Sequence, residues 1–158
     1  AAQNGHVDVL RFLKDEFGLT ANDARAKSNT ALRSASEFGQ AKVLRFLKSQ
    51  FGLTTYDART CNNEALQWAA GSGHVEVLLV LKNDFELTAQ DAKDNYNYAL
   101  RMAARSGHIN VLYILKNIFE LTADHVRAEY NYALKEATEN GHIKVIEFIK
   151  NEWRLTPS

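Results

Sequence analysis

The sequence predicts an all-α chain, a solenoid in which each 34-residue unit supplies two antiparallel helices and a short helical turn. Three observations carry this reading. Gly5, Gly39, Gly73, Gly107 and Gly141 stand 34 residues apart, as do Asn29, Asn63, Asn97 and Asn131. A fixed period of roughly 20 to 50 residues signals a stacked array, in which a unit buries its apolar face only against its neighbours. Within a unit, Val43, Phe46, Leu47 and Phe51 fall at i, i+3, i+4 and i+8, the stripe of an amphipathic helix, with Arg45, Lys48 and Ser49 on the other side. Finally, the single proline is Pro157 and no Ser/Gly-rich stretch interrupts the chain, so residues 1–158 read as one continuous architecture.

Each element of the unit has its own signal. Ala31, Leu32 and Ala35, with their equivalents Ala65, Leu66, Ala69 and Ala99, Leu100, Ala103, mark a first helix whose small residues allow close approach. Asn29 is placed to cap the free amides at its start, and Gly39 stands where a helix end needs positive φ. The Val43 stripe is the second helix. Leu-Thr pairs follow at 19, 53, 87, 121 and 155; Thr20-Ala21-Asn22-Asp23 and Thr54-Thr55-Tyr56-Asp57 then place an acid three residues after a hydroxyl, which predicts a short helical turn. The units are 1–28 (partial), 29–62, 63–96, 97–130 and 131–158. Ala1-Ala2 corresponds to Ala35-Ser36, within a first helix, and the last unit is not distinctly polar, so the expectation is a slice of a longer array.

Ala69-Ala70-Gly71-Ser72-Gly73-His74-Val75-Glu76-Val77-Leu78 and Ala103-Ala104-Arg105-Ser106-Gly107-His108-Ile109-Asn110-Val111-Leu112 resemble the ankyrin repeat, with its two Ala, two variable residues, Gly-His and an apolar-periodic helix. The resemblance covers the whole chain. The Leu-Thr-x-x-Asp-Ala-Arg segment stands where that family has a β-turn finger, so a helical turn is expected there. The tetratricopeptide repeat has the same period, but it asks for a proline at the end of its second helix, and here the Gly-His step separates the helices.

The resemblance implies a module that binds a protein partner through a concave groove, at positions that vary between units. These are Glu37 and Phe38, Arg105, and Glu139 before the Gly-His step, with Tyr96 and Tyr130 in the loops. Trp68 and Met102 lie about 60° round the first helix from the buried Ala, close to the groove. Trp, Tyr and Arg most often dominate interface energy. Tyr98 and Tyr132 are expected to pack between units. The competing reading is a structural spacer or scaffold segment within a larger assembly.

Other classes find little support. Lys+Arg and Asp+Glu both number 19, so no net field draws the chain to nucleic acid. Apolar runs such as Val77–Leu81 are far shorter than the roughly 20 residues of a membrane span. Cys61 cannot form an internal disulfide, which favours an intracellular reducing compartment. His6, His74, His108 and His142 recur once per unit; units about 10 Å apart cannot bring them to one metal, so they are expected to bond backbone groups at the inter-helix turn. The row Lys14, Lys48, Lys82, Lys116, Lys150 reads as a solvated outer face, and His125 as an exposed variant of the turn acids Asp23, Asp57 and Asp91. No phosphate loop, nucleophile motif or metal spacing is visible, so no enzyme, cofactor, metal or small-molecule substrate is expected.

Overall fold

The computed structural model describes residues 1–154, with the side chains of 128–130 left out of the description. In chain order the helices are α1 (Val7–Phe17), α2 (Ala21–Ala24), α3 (Ala26–Glu37), α4 (Ala41–Phe51), α5 (Thr55–Ala58), α6 (Thr60–Gly71), α7 (Val75–Asn83), α8 (Ala89–Arg105), α9 (Ile109–Asn117), α10 (Ala123–Glu139) and α11 (Ile143–Glu152). Among the described residues there is no strand. The fifth Leu-Thr pair, Leu155-Thr156, lies outside them.

The helices form two rows. In one, α3 packs on α6, α6 on α8 and α8 on α10; in the other, α1 packs on α4, α4 on α7, α7 on α9 and α9 on α11. The rows meet where α3 touches α4, α6 touches α7, α8 touches α9 and α10 touches α11. Leu32, Leu66 and Leu100 from the first row, and Leu47, Leu81 and Leu115 from the second, are buried between them. The contrast between α1 and α4 shows where burial comes from. Phe46 is 5% exposed beneath α1, whereas the equivalent Phe12 is 57% exposed, because α1 has no helix on that side. A helix pair alone leaves its stripe half open, and its neighbour removes that apolar area from water, worth about 1.5–3 kcal/mol for one such side chain.

The short turn is helical, as the spacing predicts. Thr54 and Thr88 each begin a turn whose third residue, Asp57 or Asp91, accepts from the threonine amide at 2.8 and 2.7 Å. The junction with the first helix is less regular. Lys27-Ser28-Asn29, Cys61-Asn62-Asn63 and Asn95-Tyr96-Asn97 all have positive φ near 55°, a left-handed turn that L-residues adopt at a cost of about 1–2 kcal/mol each. Side chains from one turn further on hold it: Arg33 Nε donates to the Ser28 carbonyl at 2.9 Å and Gln67 Nε2 to the Asn62 carbonyl at 2.6 Å.

The repeating asparagine therefore does not cap its own helix, contrary to the expectation from sequence. Its Oδ1 finds no partner in Asn29, Asn63 or Asn97, and its amide reaches the far end of its own unit instead. Asn29 Nδ2 donates to Thr60 Oγ1 at 2.9 Å, Asn63 Nδ2 to an Asp94 carboxylate oxygen, and Asn97 Nδ2 to the His125 carbonyl at 3.0 Å. Asn suits this position because it tolerates the left-handed region and carries an amide donor that joins the start of the first helix to the closing part of its own unit.

Within the lysine row, Lys150 is exposed as expected, but Lys48, Lys82 and Lys116 are half-buried against the following unit. Lys48 Nζ lies 5.2 Å from the Phe85 ring centre and Lys82 Nζ 5.5 Å from that of Phe119, so each covers the next unit's aromatic ring. Lys116 pairs with Glu152 of the following unit.

Candidate partner-binding face

The open side of the first-helix row repeats at i, i+3, i+4 and i+7. It carries Thr30, Arg33, Ser34 and Glu37 on α3, and Glu64, Gln67, Trp68 and Gly71 on α6, of which Gln67 is buried. Tyr98, Arg101, Met102 and Arg105 on α8 and Tyr132, Lys135, Glu136 and Glu139 on α10 continue it. Buried positions of these helices repeat small Ala and Leu, while this face varies: Ser34, Trp68, Met102 and Glu136 all differ, although Tyr98 recurs as Tyr132, Arg33 as Arg101 and Glu37 as Glu139.

Two bridges and an apolar centre organise it. At one end Arg33 of α3 pairs with Glu64 of α6. Toward the other, Arg101 of α8 lies 3.7 Å from Glu136 of α10, its guanidinium between the rings of Tyr98 (5.8 Å) and Tyr132 (4.7 Å). Between these bridges the α6–α8 contact is apolar. A Cβ on Gly71 would stand 3.3 Å from Met102 Cβ, so the absent side chain lets the helices approach there. Trp68, one turn earlier on α6, is 40% exposed beside that contact. An apolar centre flanked by polar bridges is the anatomy of protein recognition surfaces.

The rim is fixed by the histidines. His74 Nε2 donates to the Glu37 carbonyl at 2.9 Å and His142 Nε2 to the Arg105 carbonyl at 2.8 Å, so each imidazole holds the preceding unit's first-helix end. Gln40 Nε2 does the same to the Gln3 carbonyl at 3.1 Å. Gly39 has φ +75°, and a Cβ there would come within 2.8 Å of the His74 ring. The Gly-His signature is thus a contact between units: the glycine of one lies under the imidazole of the next. The sequence placed these side chains at backbone groups of the turn, and the structure identifies the acceptors one unit back.

The residues expected to meet a partner occupy three places. Trp68, Met102, Arg105 and Glu37 share the open face, with Trp68 and Arg105 exposed and Met102 and Glu37 half-buried. Phe38, exposed at the end of α3, and Tyr96, 65% exposed on a left-handed turn, stand along its edges. Glu139 pairs with Lys135 at 3.8 Å and with it lines an open groove of about 400 Å³ on α10, so it is apart from the Trp68 centre. Tyr130 lies outside the residues whose side chains are described. Sequence reasoning missed Arg101 and its bridge to Glu136; the signal available was the i, i+3 spacing of Tyr98 and Arg101, repeated one period later as Tyr132 and Lys135.

The chain matches no protein-family model and no curated protein.

Proposed function

We propose that the chain is an ankyrin-like repeat solenoid that binds a protein partner on the open face of its first-helix row. The observation that carries this is the division of labour within each first helix. Ala65, Leu66 and Ala69 repeat in kind and are buried, whereas Trp68, Met102 and Arg105 differ from unit to unit and face outward. A fold needs only the first set, so the second is free to specify a partner. The row contacts between successive helix pairs support the solenoid, because each pair completes its neighbour's core.

The test is capture of partners from the source cell followed by affinity measurement with Trp68→Ala, Tyr96→Ala and Arg105→Ala combined. Binding should weaken by at least about 2 kcal/mol, roughly 30-fold, with unchanged helical circular dichroism. An unchanged affinity would remove the open face from the interaction. If the intact chain captures no partner, the spacer reading replaces this one, and the bonds between units would then serve stiffness.

A further inference from the structure

We propose that the joint between α8 and α10 is acid-sensitive, with His125 as the group whose protonation releases α10 and α11 from the rest of the chain. The geometry comes from comparing three equivalent joints. At the first, Arg25 Nε and Nη2 grip both oxygens of Asp57 at 2.8 and 3.1 Å; at the second, Arg59 grips Asp91 at 2.7 and 3.0 Å. Each carboxylate also accepts from the threonine amide that opens its short turn, so one side chain caps a helix and pins two units together. At the third joint the same two positions hold Lys93 and His125. The cap survives, with Thr122 N–H donating to His125 Nδ1 at 3.0 Å, but the ion pair is replaced by two groups that are both cationic once the imidazole is protonated.

Only an imidazole whose Nδ1 is unprotonated can accept that bond. Protonation turns Nδ1 into a donor aimed at another donor and places a cation at the N-terminus of α10, where the helix dipole opposes it. The charged groups around the site add to this. Lys93 faces His125 from α8, and among the described residues Asp124, on the same turn, is the opposing charge beside it, itself 3.4 Å from Arg127. From beyond α11, Arg127 is met by the Arg154 carbonyl, and Trp153 donates to the Leu121 carbonyl at 2.9 Å; neither contact supplies an anion. Burial first, and Lys93 second, hold His125 below the ordinary imidazole value, against the pull of Asp124. With the folded value lowered, the unfolded joint binds more protons as pH falls through about 6.5, so the joint loses stability on acidification. The other two joints, with carboxylates in place, keep theirs through that window. Opening this joint would also separate Arg101 from Glu136 and Tyr132.

The test is hydrogen exchange on the full chain at about pH 7.5 and about pH 5.5, either side of the imidazole value, corrected for the intrinsic rates. Protection of the backbone in 131–152 should fall at least about tenfold at the lower pH, while that in 41–83 changes less than about twofold. Lys93→Arg with His125→Asp rebuilds the pin and should abolish the difference. His125→Asn, a neutral acceptor that does not titrate, should abolish it too and serves if the rebuilt pair does not fold. No loss in the natural chain, a loss spread evenly over all units, or the same loss in His125→Asn would overturn the proposal.

Discussion

Arg59 Nε donates to Asp91 Oδ1 at 2.7 Å across 32 residues, joining the short turn of one unit to that of the next. Asp91 is 5% exposed and its second oxygen accepts from the Thr88 amide and hydroxyl at 2.7 and 2.9 Å. Burial alone would raise its carboxyl, but the Arg59 guanidinium and the Thr88 donors outweigh this and hold it below the usual carboxylate value. Asp57 is held low in the same way by Arg25 and Thr54.

Asp91→Ala should therefore cost about 3 kcal/mol, the sum of a lost helix cap and lost charged hydrogen bonds, measured by urea unfolding near pH 7. Because the folded carboxyl titrates low, its contribution is present above about pH 3.9 and disappears as pH falls further. The gap between wild type and variant should close in that acid range. A gap that is constant down to acid pH would mean the carboxylate charge is irrelevant.

Asn63 separates backbone strain from side-chain bonding. Its φ is +61° and its amide donates to Asp94. Asn63→Gly loses the bond but keeps an easy left-handed backbone, whereas Asn63→Ala loses both. The alanine variant should be less stable than the glycine variant by about 1 kcal/mol in parallel denaturant titrations. Equal stabilities would show that the left-handed turn relaxes without Asn.

Leu81 is fully buried between the two rows. Leu81→Ala leaves a cavity there and should cost about 2–5 kcal/mol, read by thermal or urea unfolding. A loss under about 0.5 kcal/mol would place this stripe outside the core.

Lys82→Ala with Lys116→Ala removes one cation lying over Phe119 and one partner of Glu152. A modest loss of about 1 kcal/mol in stability is expected, since both contacts are partly exposed. Partner affinity should not change, because these side chains belong to the second-helix row; a large drop in affinity with stability intact would move the binding surface there.

The amino-acid pattern by itself determined the content of each unit. The 34-residue period, the Val43–Phe51 stripe, the small Ala of the first helix and the Thr-x-x-Asp turn follow from residue type and helical spacing, and the structure places all of them as the spacing requires. Trp68, Tyr96 and Arg105 were legible as outward-facing because they break a pattern that neighbouring positions keep. Which residues distant in sequence meet was decided only by the tertiary structure. Asn29 bonds Thr60 rather than its own helix, Lys48 lies over Phe85, and His74 reaches back to Glu37. The reason is geometric: spacing along one helix fixes the direction of a side chain, but its partner depends on the distance and rotation between adjacent units, set by how closely the packed Ala, Gly71 and Met102 let the helices approach.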